Sequence, residues 1–237
     1  MCAMPAKNTI KTYTEHSHYH IYNRGVDKRD IFLDDHDYQT FLSLLKTYLS
    51  PPVKPDPLSP FKSERPYRIK RHQDMNLQDE VQLLAYCLMS NHFHLLIRQN
   101  TSHGIVKLMR RVCTSYATYF NTKYERSGTL FEGVYKAILI SEEPYFLHLS
   151  RYIHLNPIKT TKLGPLSTTA GSPANYPYSS YHWYLESNPP PWLNTSLILS
   201  YFQKNTAKLP NPYTSYSGFV EDYKLNSEAF VQNLTLE

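Results

Sequence analysis

The sequence predicts an α+β fold, an antiparallel sheet flanked by helices. Three observations lead there. Segments with strand and helix periodicity follow one another as strand, helix, strand, strand, helix, strand, helix. Two of those strands, "VQLLAYCLM" and "HFHLLIRQ", adjoin across only Ser90-Asn91. The 237-residue chain is 41% hydrophobic, enough for a core, and has only 7 glycines against 17 prolines. That balance predicts ordered elements joined by stiff linkers.

The elements follow in order. Residues 1–15 read as a loose leader. "HYHIYNRGV" alternates as a strand does, with His18, His20 and Tyr22 on one side and Tyr19 and Ile21 on the other. Gly25 is placed to supply the turn after it. "DDHDYQTFLSLLKTYL" is an amphipathic helix with Phe41, Leu42, Leu45 and Leu49 near one face and Asp34 or Asp35 as N-cap. Residues 51–78 are proline-rich and basic, unsuited to a helix or a central strand. After the adjoining strands, a long helix runs from about Gly104 to Tyr124. "SGTLFEGVYKAILI" reads as a turn and a strand. Ser141 is placed to cap the next helix, which is expected to end at Asn156 because proline follows. Beyond Gly164 the chain turns Pro/Ser/Tyr-rich, and residues 187–237 read as a C-terminal helical extension. The domain proper is expected to span 16–186.

Charge points to a partner. The net charge is +5. Between Thr101 and Pro165 nine basic residues face four acidic ones, so that segment alone holds a surplus equal to the whole. Such a patch suits a polyanion such as a nucleic acid backbone; the plainer reading is a solvated helix face. The 3 cysteines have no metal-type spacing and no even disulfide count, as expected of a reducing, cytoplasmic setting. No apolar run suggests a signal peptide or a membrane span.

The segment "MSNHFHLLI" contains the most informative pattern. In a strand, His92 and His94 share a face, and two parallel imidazoles can hold one divalent metal. Satisfied strand histidines are the alternative. His16, His18 and His20 alternate in the same way, and spacing alone does not choose between the two sets. "RYIHLNP" offers a third ligand and a nucleophile. Tyr152 and Asn156 stand one helical turn apart on one face. The Asn156 amide oxygen with two imidazoles leaves a hard octahedral cation open positions for phosphate and water. Alternatively, Tyr152 is a core tyrosine and Asn156 a residue of the helix end.

Together these motifs resemble a known family. "NHFHLLI" resembles the His-hydrophobe-His signature of the HUH nucleases. "YIHLNP" resembles the tyrosine helix of their single-tyrosine, IS200-like branch, specifically the REP-associated tyrosine transposases. "YHIYNRGV", "RSGTLFEGVYKA" and "YPYSSYHWYL" add matches in the right order. The resemblance covers about residues 16–186; the insertion at 51–66 and the tail beyond 187 depart from the plain pattern. It implies a ferredoxin-like HUH nuclease fold with the histidines on a central strand. It also implies metal ligands His92, His94 and Asn156, the nucleophile Tyr152, and no ligand role for His20. The implied reaction is cleavage and rejoining of single-stranded, hairpin-flanked DNA through a 5′-phosphotyrosine, needing no nucleotide cofactor.

Mg²⁺ or Mn²⁺ is the expected cofactor, since an amide and open water positions suit hard ions. A phenol with an ordinary pKa near ~10 needs a base or water to take its proton. His148, one turn before Tyr152, is a candidate. Arg24, Arg110, Arg111, Arg126, Lys136, Arg151 and Lys159 are the expected phosphate contacts; Tyr176, Tyr178 and Tyr181 could stack on unpaired bases, packing of the C-terminal segment being the plainer reading for most of them. The resemblance implies hairpin or single-stranded DNA as the partner; no membrane partner is expected, and a monomer or a homodimer is. The competing readings are a catalytically silent nucleic-acid-binding protein, a phosphodiesterase that uses water, and a replication initiator or relaxase of the same superfamily. A Tyr152→Phe variant separates the first two from the transesterase.

Overall fold

The computed structural model describes residues 13–51, 75–159, 172–203 and 213–222. The leader up to residue 12 and residues 52–74 of the proline-rich insertion lie outside the described residues. The main elements are β1 (Ser17–Arg24), α1 (Asp35–Leu49), β2 (Val81–Met89), β3 (His92–Gln99), α2 (Gly104–Lys123), β4 (Lys136–Ile140) and α3 (Glu143–Lys159). The sheet order is β2-β3-β1-β4, every neighbouring pair antiparallel. This is the split βαβ arrangement of the ferredoxin-like fold, and the α+β expectation holds.

Local chemistry accounts for the framework. Asp34 caps α1 by accepting from the Asp37 N–H, while the Asp37 carboxylate reaches back to the Asp34 N–H. The tight β2–β3 connection is stitched to the loop after β1. The Ser90 carbonyl accepts from the Ile31 and Phe32 N–H groups, and the Asn91 carbonyl from that of Gly25. Gly25 has ordinary extended dihedrals. Glycine is needed there because a Cβ would lie 2.2 Å from the Arg29 carbonyl oxygen. The turn itself is made at Asp27 and Lys28, both with positive φ.

Alternation along the strands sorts the two faces. Phe93 packs on Phe41 of α1, which in turn meets Tyr116 of α2. His94, its neighbour in sequence, points the other way, toward Tyr152 of α3. The sheet therefore has an apolar face under two helices and a histidine-bearing face under one.

Two sequence expectations change at α3. The helix starts at Glu143, one residue later than a Ser141 cap sets it, and continues past Pro157 to Lys159. Proline removes only one N–H, and the Asn156 side-chain amide donates to the Tyr152 carbonyl at 3.0 Å, reinforcing the turn before it. The C-terminal part then lines the outer edge of β2. The Leu88 N–H donates to the Tyr178 carbonyl, the Ser180 N–H to that of Tyr86 and the Asn194 N–H to that of Leu83. Short helices follow: α4 (Tyr181–Leu185), α5 (Ser196–Leu199) and α6 (Tyr216–Glu221). Tyr176, Tyr178 and Tyr181 are buried in this packing. Tyr178 stacks on Tyr38 with ring centroids 3.6 Å apart, so these tyrosines serve the core and are not open to bases. Among the described residues, no helix is long and apolar enough to cross a membrane.

Candidate active site

The register of three strands assembles the site. His94 on β3 lies opposite Tyr22 on β1, which lies opposite Lys136 on β4; one step along, His92 lies opposite Arg24. The imidazoles of His92 and His94 stand 4.9 Å apart between centroids. α3 covers this face. The Tyr152 ring meets His94 edge-on at 5.6 Å. Asn156, one turn later, is a hydrogen-bond partner of His92. The four residues singled out from two separate motifs are thus neighbours.

The electrostatics favour neutral imidazoles. Burial pushes His92 down to about 4, and the nearby Arg24 charge adds to this against the opposing effect of a hydrogen bond with Asn156. Burial also holds His94 well below the usual histidine range, helped by His92 and His20. Neutral imidazole is the metal-ligating form. Asn91 Oδ1 lies 2.6 Å from His92 Nδ1, and an amide oxygen only accepts, so that nitrogen carries the proton. His94 is fully buried, and its Nε2 has no hydrogen-bond partner. A buried polar atom left in this state, beside a second imidazole and an amide, fits a divalent cation held by His92, His94 and Asn156. Among the described residues no group of three or more His, Cys, Asp or Glu side chains could hold an ion. The set here differs in using an amide oxygen as its third donor.

The basic residues separate by position. Arg24 is half-buried on the site face and paired with Glu132 at 2.9 Å. Lys136 flanks the same face from β4. Arg110 is exposed on α2, whereas Arg111 donates to the Met75 carbonyl and lies over Tyr48. Arg126 donates to Asn121 Oδ1 at the end of α2. Arg151 is 1% exposed, donates to the Asp222 carbonyl and lies over the Phe219 ring. It is engaged by the fold and, in this arrangement, open to no phosphate. Lys159 is the last residue of α3, and its side chain lies outside the described residues. His148 is brought to Phe219 of α6, with ring centroids 5.7 Å apart.

The site also contains a residue that sequence reasoning assigned no role. His20 on β1 is fully buried, hydrogen-bonded to His94 and edge-on to Tyr152 at 6.4 Å. The available signal was the alternation that puts His20 and Tyr22 on one face. It lacked the register that brings that face beside His94.

Comparison with known proteins bears on the same residues. No curated protein matches the sequence. A solved structure of a REP-associated tyrosine transposase bound to a REP hairpin is 12% identical, with a TM-score of 0.48, over 78% of this chain and 90% of that one. The family model described as "Transposase IS200 like" matches residues 64–156. That span begins in the insertion, contains the β2–β3 pair and ends on Asn156. The chain therefore carries, in a segment that includes His92, His94, Tyr152 and Asn156, the sequence pattern of the IS200-like transposases.

Proposed function

We propose that the protein is a single-strand DNA transposase that cleaves and rejoins hairpin-flanked DNA, with Tyr152 as nucleophile. The observation that carries the proposal is the meeting of Tyr152 and Asn156 with His94 and His92 inside the IS200-like segment. In the cleavage step the Tyr152 oxygen forms a bond to the scissile phosphorus, and the bond from phosphorus to the 3′-oxygen breaks. The phenol gives up one proton and the departing 3′-hydroxyl takes one up. The product is a 5′-phosphotyrosine, whose ester a second strand's 3′-hydroxyl can attack in the reverse sense. Ester is exchanged for ester, so no nucleotide cofactor is needed.

His92, His94 and Asn156 would hold Mg²⁺ or Mn²⁺, which supplies Lewis-acid polarisation of the phosphate oxygens. The chain's own contribution is orientation. α3 fixes Tyr152 at the imidazole pair, and the buried sheet face limits water. Arg24 and Lys136, on the histidine-bearing face of the sheet, are the proposed phosphate contacts, and Arg110, Arg111, Arg126 and Lys159 are further candidates. Each adds affinity that falls with salt and reads no sequence.

The test is a nicking assay on single-stranded hairpin DNA with Mg²⁺ or Mn²⁺. The parent chain is expected to cleave and religate. Tyr152→Phe is expected to bind with unchanged affinity and to cleave at least about 10³-fold more slowly, the scale of losing the nucleophile. Cleavage by Tyr152→Phe at the parent rate would mean that water is the nucleophile. No cleavage by the parent would leave a binding protein.

A further inference from the structure

The role of His20 follows from hydrogen-bond arithmetic taken together with the metal-site reading above, on which it rests. Its Nε2 lies 2.9 Å from Nδ1 of His94. The two rings are 5.0 Å apart between centroids and 23° from parallel. Tyr22 packs on both, at 4.8 Å from His20 and 5.9 Å from His94, and Tyr152 stands edge-on to both. Neither imidazole has room to turn in a packed layer of this kind.

A hydrogen bond between two imidazole nitrogens contains one proton, so one ring donates and the other accepts. Two neutral rings carry two protons, one between them and one on an outer nitrogen, either Nδ1 of His20 or Nε2 of His94, so counting alone leaves the direction open. A cation decides it: His94 Nε2, buried and without a hydrogen bond, can serve as a ligand only as a bare lone pair, which puts the His94 proton on Nδ1 and the His20 proton on its own Nδ1. His92 has the same polarity, its Nδ1 donating to Asn91.

We propose that His20 is a positioning residue that accepts the Nδ1–H of His94, fixing the tautomer and ring plane in which His94 presents its Nε2 lone pair to a divalent cation. His20 then serves His94 as Asn91 serves His92. One support comes from the neighbouring strand and the other from the preceding residue.

The test uses Mn²⁺ binding to the full-length, metal-free protein by titration calorimetry, beside ¹⁵N NMR of the parent's histidine rings. His20→Leu fills similar space without an acceptor, and His20→Gln restores an acceptor oxygen. The expected result is an affinity loss of about tenfold or more in His20→Leu. His20→Gln is expected to recover most of it, with thermal melts alike. The parent's His94 is expected to be protonated at Nδ1 and bare at Nε2. Parent-like Mn²⁺ affinity in a folded His20→Leu, or a His94 protonated at Nε2, overturns the proposal. If His20→Leu fails to fold, the NMR tautomer and the His20→Gln titration decide. His94→Ala serves as the reference. If it binds Mn²⁺ as tightly as the parent, the metal-site reading falls and this proposal with it. If it loses binding while His20→Leu keeps it, only the role of His20 falls.

Discussion

Arg151 and Tyr152 are adjacent in sequence and about 100° apart around the helix, so they meet different partners. Tyr152 faces the imidazoles of the sheet, while the Arg151 guanidinium lies over Phe219 at 4.9 Å. That contact joins residues far apart in the chain, and no local pattern announces it, which is why Arg151 reads from sequence as one more phosphate contact. Arg151→Ala is expected to lower stability by about 2 kcal/mol, from a desolvated cation–π contact and lost stem packing. It should leave the salt dependence of hairpin-DNA binding unchanged. Lys136→Ala is expected to do the reverse, sparing the melting temperature and reducing the slope of log affinity against log salt by about 1. Fluorescence anisotropy titrations at several salt concentrations, with thermal melts, check both. Spacing made it legible that His92 and His94 share one face and that Tyr152 and Asn156 share another, while the choice of that pair over His16, His18 and His20 came from the family resemblance. The role of His20 was not legible, because it depends on β1 lying beside β3 in one particular register.

At the scale of elements, one buried carboxylate joins the start of α1 to the end of α2. Asp37 accepts from Lys123 Nζ, from the Tyr119 and Tyr124 hydroxyls and from the Leu33 N–H, each at 2.8 Å. Burial alone would raise its pKa; the bonds from Lys123, Leu33, Tyr119 and Tyr124 outweigh this and hold it below the ordinary carboxylate range. The folded value is depressed, so the stabilisation is present above the unfolded carboxylate pKa of ~4 and is lost as pH falls through the lower folded value. Asp37→Asn is expected to cost about 3 kcal/mol at neutral pH, as breaking a buried pair does. The deficit should shrink as the parent is acidified below that range, which melts across pH will measure. Here the sequence was largely sufficient. The helix and its apolar face follow from local spacing, which narrows the cap to Asp34 or Asp35; the structure gives Asp34. The end of α3 was not legible, because the rule that proline stops a helix takes no account of the Asn156 side chain bonding its own turn.

Across the whole molecule, the C-terminal part holds the tyrosine helix in place. His154 of α3 bonds Ser180 Oγ through Nε2 and the Tyr216 hydroxyl through Nδ1, each at 2.8 Å. The Tyr216 hydroxyl also donates to Ser150 Oγ, and Ser180 Oγ accepts from the Tyr86 N–H of β2. This buried chain links α3, α6 and the sheet edge, and its members span more than a hundred positions, beyond the reach of any motif. Tyr216→Phe is expected to cost about 1–3 kcal/mol by leaving buried polar partners unmet. α3 is docked on the sheet of its own chain, so Tyr152 is expected to act in cis. Mixing Tyr152→Phe with His94→Ala protein should then restore no cleavage, whereas restored nicking in the mixture would mean that chains exchange the helix. The central claim, that this phenol meets this imidazole pair to attack phosphorus, is tested most directly by trapping the covalent product. The protein is incubated with single-stranded hairpin DNA and Mn²⁺ and denatured, and the tryptic peptides are sequenced by mass spectrometry. A 5′-nucleotide remnant on the peptide beginning at Tyr152 is the expected result; an adduct on another tyrosine, or cleaved DNA with no adduct at all, would contradict the account.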